Sequence, residues 1–166
     1  QTCALPIYEQ FRYLTEKLNG YITGAYIYNK MGLTEQVATT ITIATPNPVR
    51  RFRFKNLDIE CVKAYCMVYP DESLVPYLRL LDAIKDMKRI PGTTGQDIYN
   101  RVKSQYFNGY SLPELEKIVS LAKSYPPRVR KVVADILGDI RQTVLQTEMA
   151  KTILPTTRFN LDYKTA

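Results

Sequence analysis

The sequence predicts an α+β fold: a small antiparallel sheet of about three strands early in the chain, followed by a C-terminal bundle of about four helices. Two observations carry this. Between residues 37 and 64 apolar and polar residues alternate with a period of two, and beyond residue 70 the apolar residues recur at three and four. A third, the proline and glycine punctuation at Pro46, Pro91-Gly92 and Pro126-Pro127, cuts these stretches to element length.

Ahead of the sheet, Phe11, Leu14 and Leu18 stand at helical spacing within residues 8–19, and Gly20 supplies a stop. Residues 21–31 repeat the spacing with Tyr21, Ala25, Tyr28 and Met31 before Gly32, which predicts a second helix. Ile41 and Ile43 then alternate with Thr40 and Thr42, a β-branched run that reads as a half-buried strand ending at Pro46. Phe52 and Phe54 alternate with Arg51 and Arg53, giving a strand with one apolar and one basic face. Lys55-Asn56 forms a turn into residues 57–64, antiparallel to it.

In the second half, Leu74, Leu78, Leu81, Ile84 and Met87 form a helical stripe, with Lys85, Lys88 and Arg89 near its end, where cations suit the helix dipole. Residues 96–107 make a weaker helix. Ser111-Leu112-Pro113-Glu114 reads as a capping box ahead of Leu115, Ile118, Val119 and Ala122. After the proline turn, Val129, Val132, Val133, Ile136, Leu137, Ile140 and Val144 make the cleanest amphipathic helix. Residues 145–166 carry no firm period and are expected to form a loose tail.

Residues 1–7 resemble the translated end of a sequencing-library adapter, so the expected domain spans residues 8–144 and the chain is expected to lack part of its natural N-terminus. With that segment set aside, Cys61 and Cys66 remain, and with no signal peptide they read as reduced cysteines of a soluble cytoplasmic protein. No apolar run approaches the roughly 20 residues of a membrane span.

The chain has no histidine, which removes the commonest general base and metal ligand. Cys61 and Cys66 are too widely spaced for a zinc hairpin, and the glycines are too dispersed to cradle a phosphate. No catalytic, metal or cofactor residue is expected. A metal-dependent nuclease built on Asp58, Glu60 and Lys63 is the enzymatic alternative, but strand alternation sends Glu60 and Lys63 to opposite faces. Asp135 and Asp139, one helical turn apart, read as a solvated pair.

The excess of 23 Lys and Arg over 16 Asp and Glu, a net charge of +7, points to polyanionic or acidic partners. The densest positive groups are Arg50, Arg51 and Arg53 on the second strand, and Arg128, Arg130 and Lys131 at the start of the last helix. These six are the candidate phosphate or partner contacts.

Several blocks together resemble a known family. Gly20-Tyr21-Ile22-Thr23-Gly24, then Tyr28-Asn29-Lys30-Met31-Gly32-Leu33-Thr34-Glu35-Gln36-Val37 and the strand from Thr40 to Ala44, resemble the core of AbiEi-type antitoxins of bacterial toxin-antitoxin pairs. The stretch from Leu80 to Pro91 and Tyr125-Pro126-Pro127-Arg128-Val129-Arg130 are similar to a related, narrower bacterial family, and the likeness covers roughly residues 18–140. The resemblance implies a transcriptional regulator that counteracts a nucleotidyltransferase-type toxin and supports autorepression of its operon. It also implies that operator DNA is read mainly by an N-terminal winged helix not found in this sequence, and leaves room for a homodimer. The alternative is a protein-binding or dimerisation module of another bacterial regulator.

Overall fold

The computed structural model describes residues 6–48, 50–66, 71–159 and 163. Residues 1–5 of the adapter-like segment, and residues 160–162 and 164–166 of the expected tail, lie outside the described residues. The fold is α+β, as the sequence predicts, and it differs from the expectation in strand number, strand direction and helix number.

Helix α1 (Ile7–Leu18) starts on the Pro6 carbonyl, which accepts from the Glu9 and Gln10 amides, and ends in a left-handed Asn19. Residues 21–31 are not one helix. Strand β1 (Tyr21–Thr23) comes first, and helix α2 (Ala25–Lys30) begins only after Gly24. Strand β2 (Thr40–Thr45) pairs antiparallel with β1, Ile22 opposite Ile43. The sheet therefore has four strands among the described residues rather than about three.

Strand β3 (Arg51–Phe54) turns through Lys55, at φ 54°, into strand β4 (Leu57–Lys63), antiparallel as expected. The chain passes β3 out to the edge, so β4 returns beside β2 and parallel to it, in the order β1-β2-β4-β3. The sheet is accordingly mixed, not antiparallel throughout.

The two faces of the sheet bury different things. Ile22, Ile41, Ile43, Ile59 and Cys61 face Leu14 and Leu18 of α1 and Ile27 of α2. Tyr21 and Ala44, which point the other way, join the core of the helical half. That half consists of α3 (Val75–Lys85), α4 (Gly95–Gln105), α5 (Leu112–Ala122), α6 (Pro127–Asp139) and α7 (Thr143–Ala150).

Five helices stand where about four were expected, because the apolar stripe ending at Val144 is broken. Arg141 adopts a left-handed φ of 65°, and the Gln142 amide reaches back to the Leu137 carbonyl at 2.8 Å, closing α6. Val144 is left exposed, while Leu145 and Met149 of α7 are buried. The expected loose tail thus opens with a packed helix, and Tyr163 beyond it is buried against the bundle.

The capping box is present as the sequence predicts: the Ser111 hydroxyl accepts from the Glu114 amide, and the Glu114 carboxylate accepts from the Ser111 amide. These bonds and the Tyr77 hydroxyl hold the Glu114 carboxyl below its ordinary value of 4.5. A depressed acid stabilises the folded chain above its unfolded pKa and loses that contribution as pH falls through the folded one. Ser111→Ala is expected to cost about 1 kcal/mol near neutral pH. In urea unfolding the deficit should shrink as pH falls below the ordinary carboxyl value of 4.5; a deficit that does not change with pH would contradict this account of the cap.

Candidate functional site

The seam between the sheet and the helical bundle forms a groove. Its larger part, about 350 Å³, lies between the end of β4 (Val62, Lys63), Tyr65, Lys85 in the last turn of α3, Arg89, and the start of α6 at Arg128. A neighbouring hollow of about 250 Å³ is lined by Thr42, Glu60, Asp86 and others. Val62, Lys85 and Arg89 line both hollows, which makes them successive parts of one groove.

The two parts differ in charge. Glu60 and Asp86 lie in the smaller one. Lys63, Lys85, Arg89 and Arg128 converge on the larger one, with no carboxylate among its described lining residues. Asp86 sits at the boundary, 3.8 Å from Lys85 and 3.2 Å from Arg89, while its other oxygen accepts from the Tyr28 hydroxyl. One carboxylate therefore serves two cations.

Lys63 and Lys85 have both ammonium groups over the Tyr65 ring, 5.0 and 5.5 Å from its centre. Arg128 has a guanidinium nitrogen, Nη2, that is buried and has no hydrogen-bond partner among the described residues. Leaving such a donor dry and unpaired costs about 1–3 kcal/mol.

A rigid polar network lies beneath this groove. Asp82 of α3 is 2% exposed, and its carboxylate accepts from the hydroxyls of Tyr21 (2.7 Å), Thr23 (2.8 Å) and Tyr125 (2.7 Å). Burial pushes the Asp82 carboxyl above its ordinary range, against the pull of Lys85 and of the three hydroxyl donors. Burial beside this carboxylate also raises Tyr21 and Tyr125, so both phenols stay protonated. Tyr125 stacks on Tyr65 with ring centres 5.1 Å apart, which fixes the ring that carries the two lysines.

The six sequence-predicted contacts do not form one patch. Arg51 and Arg53 stand on the edge strand, exposed, opposite Glu60 (3.3 Å) and Asp58 (3.8 Å) of β4. Such exposed pairs are worth little, and the arginines can exchange these partners for others. Arg50 lies over the Phe52 ring at 4.8 Å. Arg128 reaches the groove. Arg130 turns inward instead: its Nε donates to the Tyr125 carbonyl at 3.0 Å and its Nη1 to the Thr152 carbonyl, tying the end of α7 to the start of α6. Lys131 pairs with Asp135 one turn on, at 3.1 Å.

Lys63, Lys85 and Arg89 escaped the sequence reading as groove residues. The i, i+4 spacing of Lys85 and Arg89 was a usable signal, since it puts them on one helical face, but it fits a dipole-complementing helix end equally well. Asp135 and Asp139 are not a solvated pair: Asp135 is buried and accepts from the Tyr163 hydroxyl at 2.7 Å, and Asp139 accepts from the Tyr99 hydroxyl at 2.6 Å. Asp58 and Glu60 share a face of β4 opposite the β3 arginines. Among the described residues no group of three or more Cys, Asp or Glu is placed to hold a metal ion, and no helix is long and apolar enough to cross a membrane.

Comparison with protein-family models, with curated proteins and with solved structures yields no match to this chain.

Proposed function

We propose that the chain is a regulatory binding domain of the AbiEi-antitoxin kind, which opposes a nucleotidyltransferase-type toxin and supports repression of its own operon. The observation that carries the reading is the seam groove, where cations from β4, α3 and α6 line a continuous polar path beside the exposed β3 arginines. A surface of this kind contacts backbone phosphates without reading bases, which suits a domain that adds affinity to a DNA reader placed elsewhere.

The residue blocks behind the resemblance support it in a different way. Thr23 donates to Asp82, Thr34 donates to the Pro91 carbonyl at 2.6 Å, and Leu33 is fully buried. These residues build the domain, and partner contact falls to the cations that line the groove, Lys85, Arg89 and Arg128 among them.

Fluorescence anisotropy with duplex DNA from upstream of the operon tests this. With about four phosphate contacts, log affinity should fall against log salt with a slope near −3.6. Exchanging both Lys85 and Arg128 for glutamine should weaken binding to operator and scrambled duplex alike, and reduce the slope by about 2. If the chain ignores duplex DNA at about 50 mM salt, and co-expression fails to relieve toxicity of an adjacent nucleotidyltransferase, the regulatory reading fails and a protein-binding or dimerising module takes its place.

A further inference from the structure

We infer that the α6 end of the groove is a discrete site for the phosphoryl group of a small phosphorylated ligand, a pyrophosphate or nucleoside diphosphate in size and charge. The inference uses one hollow of the same groove and does not rest on the regulatory reading, because the convergence of cations there holds whether or not the chain meets DNA.

Four cations from separate segments converge there: Lys63 from β4, Lys85 from α3, Arg89 just beyond it, and Arg128 from α6. Asp86, at the boundary, is engaged with Lys85 and Arg89, so Lys63 and Arg128 are left without an ionic partner among the described residues. Like charges repel. A chain that holds two ammonium groups over one aromatic ring, beside two guanidinium groups, is arranged to accept a multiply charged anion between them.

The second argument is Arg128, whose side chain lines the hollow and whose guanidinium can present paired N–H groups to two phosphoryl oxygens at once. The third is rigidity. Tyr65 is held by Tyr125, and Tyr125 by Asp82, so the floor of the hollow is set before any ligand arrives. A hollow of about 350 Å³ falls within the range of small-molecule sites.

Calorimetric titration of the chain with inorganic pyrophosphate and with a nucleoside 5′-diphosphate, at constant ionic strength in chloride, tests the inference. Saturable one-to-one binding with Kd below about 1 mM is expected. Lys63→Gln and Arg128→Gln should each weaken it about tenfold, whereas Arg12→Gln, which removes the same charge from the exposed face of α1, should leave it unchanged. Lys63 is exposed, so its variant carries the test if Arg128→Gln folds poorly. Absence of saturation up to about 10 mM overturns the inference, and so does equal weakening by Arg12→Gln. Duplex DNA binding that depends on Lys63 and Arg128 while pyrophosphate fails would assign the hollow to a backbone phosphate and equally overturn it.

Discussion

Asp82→Ala is expected to lower stability by about 3 kcal/mol and the melting temperature by roughly 10 °C. The carboxylate is the common acceptor of three hydroxyls drawn from β1, its end and the turn before α6. Without it, the Tyr21 and Thr23 hydroxyls lose their acceptor and Tyr125 keeps only a long bond of 3.4 Å to the Leu78 carbonyl, and each buried donor left unpaired costs about 1 kcal/mol or more. Tyr21→Phe removes a single donor and should cost about 1 kcal/mol. A calorimetric melt of Asp82→Ala within 2 °C or so of the parent would show that the network is not a cohesive element.

The pH dependence of the Asp82 contribution has a definite sign. The folded chain holds the Asp82 proton more tightly than the unfolded chain, because burial raises the carboxyl above its ordinary value of 3.8. Between those two values the folded state binds more protons, so this group's contribution falls as pH rises. The advantage of the parent over Asp82→Asn should therefore be largest below about pH 3.8 and narrow as pH climbs through the raised value. Unfolding free energies of the two proteins, measured against pH, give this difference directly.

How much of this was legible in the sequence depended on whether the determining contact was local. Ser111 and Glu114 meet within one turn, so their capping box could be read from spacing alone. The β3–β4 hairpin was legible for the same reason. β1 was not. Three residues are too few to display a period of two, and Tyr21, Ala25, Tyr28 and Met31 match helical spacing by coincidence of a strand followed by a helix. What makes β1 a strand is its pairing with β2, some twenty residues away.

The parallel course of β2 and β4 was likewise hidden, since it follows from β3 passing to the sheet edge. The groove suffered most. Lys63, Lys85 and Arg128 come together only once β4, α3 and α6 are docked, and Arg130, next but one to Arg128, looked equivalent in the sequence yet faces the Thr152 carbonyl just beyond α7. Charge density along the chain marked the right neighbourhoods and could not sort groove cations from internal ones. Asp135 illustrates the reverse error, a charge read as solvated that Lys131 and Tyr163 hold in the interior.

Gly24→Ala should be about as damaging as loss of Asp82, at roughly 3–4 kcal/mol, and for reasons that bear on the Gly20-Tyr21-Ile22-Thr23-Gly24 block as a whole. Gly24 joins β1 to α2 at φ 79° and ψ −168°, a conformation open essentially to glycine alone. A Cβ there would stand 2.5 Å from Oγ1 and 2.6 Å from Cβ of Thr42, on the neighbouring strand. Backbone strain and overpacking act together, and relieving either one means moving β1 away from β2. That displacement would carry Tyr21 and Thr23 off the Asp82 carboxylate, so the variant should lose part of the buried network as well. Gly109→Ala is the matched control, because a Cβ at Gly109 meets nothing within 4 Å. Urea midpoints should fall sharply for Gly24→Ala and hardly move for Gly109→Ala. If the two variants prove alike, the five-residue block is not held by close strand approach.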